Sequence, residues 1–281
     1  MSVVHTLLMQ RHRFYRDLLI VEVLALISLR PLQHAPQLVS LVYLLISGVA
    51  VLMDSPLLPR NRLTPDLGAS AIPARQHPQL QRVLQRRRWL KNGWLMAAGV
   101  ELLWQTSLLL APALAVQLSV LHVVVWLALM LDVLWSLISA LAEEPVFSGA
   151  LVMGAAAGYL LIGFTGGIVL NSLLVLDPSA FQLPASRAEH LEHLPVAIAQ
   201  APQMIGAAFG SLTTLGSSVL RGQNLTSVSA SVAITIVGQL YVAILIAGVL
   251  GKPRQLSAVR KAAHPMRRRP APSLRLRRTR R

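Results

Sequence analysis

Six apolar stretches, separated by polar or proline-broken segments, organise this chain. The first covers about residues 14–29 and carries Glu22; the second covers about 38–58 and ends near Asp54 and Pro59. The third, about 93–110, contains Glu101 and Gln105. Ala111-Pro112-Ala113 makes a tight exit into the fourth, about 114–141, which carries His122 and Asp132. Glu143-Glu144-Pro145 breaks that run; the fifth, about 147–176, is rich in Gly and Ala, and the last covers about 228–250. A helix needs roughly 20 mostly apolar residues to cross the hydrocarbon core of a bilayer, so the pattern predicts six transmembrane helices. Between the fifth and sixth lies a moderately apolar segment, 195–220, broken by Gly, Pro and polar residues. It predicts a short helix over 201–213, with Pro202 tolerated in its first turn, and then non-helical chain through Leu215-Gly216-Ser217-Ser218. Non-helical backbone at membrane depth persists only where protein buries it or where it lines a water-filled cavity. The expected fold class is an all-α integral membrane protein with six transmembrane helices plus a re-entrant pore helix and loop.

Composition agrees: 54% of residues are hydrophobic, 13% are charged, and the mean hydropathy is +0.58. A soluble domain of this length cannot bury that much apolar surface. The net charge of +15 is concentrated, since residues 11–16, 60–91 and 252–281 hold 23 of the 26 Lys and Arg residues. Basic clusters between apolar spans follow the positive-inside rule and place the amino terminus, one middle loop and the carboxyl tail in the cytoplasm, in a plasma membrane. Six spans are consistent with this, and the loop before the last span is then external. The first apolar run lacks a small-residue cleavage site and reads as a span. With no cysteine, disulfides and thiol chemistry are excluded. The expected divisions are a cytoplasmic amino terminus (1–13), a four-helix transmembrane domain (14–145), a pore domain (146–251) and a basic cytoplasmic tail (252–281), disordered by composition.

One string is more specific. Ser211-Leu212-Thr213-Thr214-Leu215-Gly216, followed after a polar turn by Gly238-Gln239-Leu240-Tyr241-Val242-Ala243-Ile244-Leu245-Ile246-Ala247, resembles the pore module of bacterial potassium channels. Gly158-Tyr159-Leu160-Leu161-Ile162-Gly163 and Asp177-Pro178-Ser179-Ala180-Phe181 are similar to the outer helix and turret of the same proteins. The resemblance covers about 146–251. It implies a homotetramer in which each subunit contributes one loop, with carbonyls and a threonine hydroxyl replacing the hydration shell of K⁺. Carried across residue by residue, the pore helix ends in Gly210, Ser211, Leu212 and Thr213, and the selectivity filter falls on Thr214, Leu215, Gly216, Ser217 and Ser218. Gly238 stands where inner helices bend, a place where glycine equally permits close packing. Thr214, Leu215 and Gly216 match the family. Ser217 replaces its tyrosine, Ser218 its second glycine and Val219 its aspartate, so the implied filter is divergent. Arg221 adds positive charge near the outer mouth.

No resident cofactor is expected; K⁺ is the implied permeant ion. The fourth span has no Arg or Lys, and moving charge through the field, about 2.3 kcal/mol per elementary charge per 100 mV, is what voltage sensing requires. The four amino-terminal helices are therefore not a voltage sensor of the usual kind. Glu22, Glu101 and Asp132 are either ion- or proton-handling groups or, more simply, groups that face one another or His122 and tie the bundle together. His190 and His193 have a spacing that a metal ion can use, but a turret or cap role is the simpler reading. Asn224-Leu225-Thr226 fits a glycosylation sequon. The tail either anchors topology or contacts anionic lipid, and no nucleic-acid partner is expected. No enzyme is expected: an intramembrane serine protease needs a histidine on a later helix, and 228–250 has none. The expectation is a monovalent-cation channel of the potassium-channel pore class. A non-conducting channel-derived subunit or scaffold is the alternative, and a secondary transporter a lesser one.

Overall fold

The computed structural model describes residues 3–52, 78–142, 148–182, 194–216 and 221–251. These are mostly helical: α1 (Val3–Leu32), a single 3-10 turn (Pro36–Leu38), α2 (Val39–Leu52), α3 (Pro78–Leu110), α4 (Pro112–Ala142), α5 (Gly149–Leu176), α6 (Val196–Ala199), α7 (Ala201–Leu212) and α8 (Leu225–Gly251). Two short strands, β1 (Phe181–Gln182) and β2 (Arg221–Gly222), pair antiparallel. The all-α expectation therefore needs a small correction. The pair ties the chain leaving α5 to the chain entering α8, where short extended segments lie side by side.

Among the described residues three helices are long and apolar enough to cross a membrane: α4, α5 and the Leu225–Gly248 part of α8. The other three expected spans differ for visible reasons. Arg16, Asp17, Glu22 and Arg30 interrupt α1. α2 is described as far as Leu52, and residues 53–58 of the expected second span lie outside the described residues. In α3 the apolar part contains Glu101 and Gln105, and the helix starts at Pro78 instead of near residue 93. The basic stretch 82–91 is thus helical and continuous with the apolar part. Its Arg and Lys residues are strong helix formers, which charge counting alone does not reveal.

The turn between α3 and α4 is as tight as expected. Ala111 is the one residue between them; its amide donates to the Ser107 carbonyl at 2.8 Å, and Pro112 opens α4 at a position where a missing N–H costs nothing.

α5 is the hub, with α1, α4, α7 and α8 all packed on it. Its sequence is apolar all round, as suits a helix that packs against several neighbours. Close approach comes from its glycines. Gly154 lies against the Tyr15 ring of α1, Gly158 against the Tyr241 hydroxyl of α8, and Gly163 against the Phe209 ring of α7. At Gly167 a β-carbon would stand 2.9 Å from the Cα of Ile205, so the backbones of α5 and α7 nearly touch. Ser148 caps the start of α5, accepting from the Leu151 amide at 3.3 Å.

Candidate functional site

α7 ends between α5 and α8, and hydroxyl groups hold it there. The last carbonyls of a helix have no intrahelical donor and need one when buried. Thr235 of α8 donates its hydroxyl to the Ser211 carbonyl at 2.8 Å, and Tyr159 of α5 donates to the Leu212 carbonyl at 3.2 Å. The Phe209 carbonyl accepts from the amide and hydroxyl of Thr213, at 2.9 and 2.8 Å. Thr235 lies roughly 15 Å along α8 from its first residue, at 1.5 Å per residue. Gly238 is buried one turn farther on, against the fully buried Leu212 side chain. α7 therefore stops partway down the α5–α8 pair, well below the end where β1 and β2 meet.

Beyond Leu212 the chain turns sharply and is exposed over Thr213, Thr214, Leu215 and Gly216. Thr214 has φ 62° and Gly216 φ 71°. For glycine this is ordinary, but for a β-branched residue it is a genuine outlier costing roughly 1–2 kcal/mol. The turn is closed by the Thr214 amide on the Ser211 carbonyl (3.1 Å) and the Gly216 amide on the Gly210 carbonyl (2.9 Å). Leu215 is 87% exposed. Of the expected filter, Thr214, Leu215 and Gly216 lie in this turn; Ser217 and Ser218, with Val219, lie outside the described residues. Gly210, Ser211 and Leu212 are the last residues of α7, and Thr213 is its cap, one residue short of the expected helix end. Gly238 sits in close packing within an uninterrupted α8.

α8 is bare on one side. Only 11% of its apolar stretch is buried, against 56% for α5. Val232, Ile236, Leu240 and Ile244, four residues apart and each at least half exposed, form one stripe along its length. Comparison of the chain with protein-family profiles, with characterised proteins and with solved structures finds no match.

The three acids have separate fates. Glu101 meets His122, as one reading expected: His122 Nε2 is 2.7 Å from Oε2, which also accepts from Trp126 Nε1 at 3.1 Å. Its Oε1 accepts from Ser40 (2.6 Å) and Gln105 (2.8 Å), so one buried carboxylate ties α2, α3 and α4 together. Trp104 stacks on the His122 ring at 4.2 Å. Glu22 does not join this cluster. It is fully buried on α1, within electrostatic range of Tyr241, and neither carboxyl oxygen has a hydrogen-bond partner. Asp132 is exposed on α4, away from its own bundle. The two tryptophans carried no metal or motif signature, and only the fold brings them to Glu101.

At the β1–β2 end, Asp177 accepts from the hydroxyl and amide of Ser179 (2.6 and 2.9 Å) and from Asn224 Nδ2 (2.9 Å). The Ser179 hydroxyl, then its amide, and less strongly Asn224, hold this exposed carboxyl below its usual range. Asn224 Oδ1 accepts from the Ser227 amide at 2.9 Å, so the sequon asparagine serves as the amino-terminal cap of α8. Among the described residues no cluster of three metal-ligating side chains is present; His190 and His193 lie outside them.

Proposed function

We propose that this chain is one subunit of a tetrameric monovalent-cation channel in the cell membrane, with both ends cytoplasmic and α7 serving as a re-entrant pore helix. The observation that carries the reading is the depth of α7. A half-helix ending partway down an antiparallel helix pair, with its last carbonyls satisfied by hydroxyls from both helices, leaves a short turn at mid-depth. Such a turn is tolerated in lipid only when it faces protein or water. The strained Thr214 supports the same reading, because backbone strain collects at functional sites. So does the bare stripe on α8, which in a four-fold assembly faces neighbouring copies or the central axis. The remaining expected spans, α1 to α3, then complete a four-helix collar with α4 around the pore module, in which Glu101 and His122 tie α2, α3 and α4 and α1 packs on α5.

The proposed filter runs from Thr214 to Ser218 and departs from the potassium-channel pattern at Ser217, Ser218 and Val219. The test is cation flux through purified protein in liposomes. The reading predicts K⁺ or Na⁺ flux that is lost when Gly216→Ala places a β-carbon at positive φ. Absence of flux in the native chain, with flux gained on combining Ser217→Tyr, Ser218→Gly and Val219→Asp, would instead make it a non-conducting channel-derived scaffold.

A further inference from the structure

The buried stripe of α1 consists of Tyr15, Leu18, Glu22 and Ala25, spaced three or four residues apart and none more than 5% exposed. Three of these are ordinary at a helix contact; the fourth is a carboxylic acid. α1 packs on α5, α2 and α7, with the Tyr15 ring against Gly154 of α5. Tyr241 of α8 reaches the same seam. Its hydroxyl donates to the Ala155 carbonyl at 2.8 Å, and Glu22 is within electrostatic range of it. Both carboxyl oxygens of Glu22 are sealed from solvent and neither has a hydrogen-bond partner. The other acids of the apolar helices are provided for: Glu101 accepts from four side chains, and Asp132 is exposed. No counter-charge stands near Glu22. Among the described residues the helices packed on α1 offer only tyrosines as titratable groups, Tyr159 of α5 and Tyr43 of α2, with none on α7; α8 adds only Tyr241. On α1 itself the flanking cations are Arg16 and Arg30, about 9 and 12 Å away along the helix. Both are exposed, and Arg16 is paired with Asp17 at 2.9 Å.

We infer that Glu22 is a proton-binding site: the seam between α1 and α5 closes on the neutral acid, and loss of its proton releases α1 from α5. An ionised carboxylate buried without counter-ion or donor is among the most costly groups a fold can hold, whereas the neutral acid forgoes only hydrogen bonds. Water does not reach the carboxyl in the closed seam, so the proton leaves only when the seam opens. The carboxylate, once formed, cannot be packed away again. Proton release and separation of α1 from α5 are therefore one event. The closed form holds one proton more than the open form, so rising pH favours opening and falling pH favours closure. α5 also carries α7 and α8, which puts the proton within reach of the segment proposed to form the pore. The site does not rest on that proposal, since the seam belongs to α1 and α5 whether or not the chain conducts.

The test uses the full chain in lipid nanodiscs. The chain has no cysteine, so one pair of spin labels can be attached through Leu24→Cys on α1 and Val152→Cys on α5, both at least half exposed. The distance between the labels is measured from about pH 5 to about pH 9, which stays below the ordinary tyrosine value of about 10. The expected result is one short distance at low pH and a growing population at longer distance as pH rises. In the same labelled chain carrying Glu22→Gln, which keeps the shape and cannot ionise, the short distance should persist at every pH. Infrared absorption gives a second reading at the low-pH end: the band of a protonated carboxyl should be present with Glu22 and lost with Glu22→Gln. Should Glu22→Gln fail to fold, Glu22→Leu, which removes the acid altogether, should abolish the pH response in the same way. A distance unchanged over the whole range with Glu22 in place overturns the inference. So does the same lengthening in Glu22→Gln or Glu22→Leu, which would assign the response to another group. A carboxyl band equally strong in both chains overturns the assignment of the proton to Glu22.

Discussion

Replacing Gly167 with alanine tests the α5–α7 contact on which the position of the pore helix depends. A β-carbon there would lie 2.8 Å from Ile205 Cγ1 and 2.9 Å from Ile205 Cα. The side chain can rotate away, but the Cα belongs to the backbone of α7, so the whole short helix has to move by roughly half an ångström or more to restore van der Waals contact. Overpacking of this kind costs about 1–3 kcal/mol. Against it stands the gain of about 1 kcal/mol for alanine over glycine within a helix. The net expectation is a loss of about 1 kcal/mol, read as a fall of roughly 2–4 °C in Tm. Gly99 on α3 is the control, because a β-carbon there meets nothing within 4 Å. Gly99→Ala should gain helix propensity without a clash and raise Tm by a similar amount. The assay is thermal unfolding of the purified variants in one detergent, followed by tryptophan fluorescence. If Gly167→Ala raises Tm as much as Gly99→Ala, the backbones of α5 and α7 are not in contact and the depth argument fails.

Other outcomes follow from the buried acids and the β1–β2 end. Glu101→Leu strands the donors of Ser40, Gln105, His122 and Trp126, and should destabilise by about 3–5 kcal/mol in chemical or thermal unfolding; a loss below about 1 kcal/mol would mean that the cluster is not closed. Glu22→Leu should do the opposite and stabilise by about 1–2 kcal/mol, since it removes a buried carboxyl with no hydrogen-bond partner; a fall in Tm would reveal a partner for it. Asp177 has a folded-state pKa lowered from 3.8, so its stabilising contribution is present above that value and is lost as pH falls through the lower folded one. The Tm difference between native chain and Asp177→Ala should therefore be constant near neutral pH and close toward zero only once pH has fallen below the ordinary carboxylate range; a difference that widens on acidification contradicts the sign.

Much of the helical frame is legible from hydropathy, because a chain that must satisfy its backbone in lipid has few alternatives to helix. The break at Ala111-Pro112 and the short helix ending at Leu212 are local signals carried by proline, glycine and polar residues, and both are found within a residue of their expected places. The start of α3 was not legible, since a run of arginines reads equally as a loop or as a helix with charged sides. The Glu101 cluster was half legible. A buried acid and a histidine on neighbouring spans suggest a pair, but the convergence of Trp104, Trp126 and Ser40 depends on helix rotation, which an all-apolar pattern does not encode. For the same reason Glu22 and Asp132 could not be told apart in the sequence, although one is wholly buried and the other faces outward. The role of the α5 glycines was hidden too: a Gly/Ala-rich span announces close packing, but not which neighbour fills each notch.

A pore shared among copies of this chain requires a fixed subunit number, which can be weighed. Native mass measurement of the full chain released from nanodiscs should give four copies per particle. A monomer or a dimer under the same conditions would contradict the shared pore, and the bare stripe on α8 would then face lipid alone.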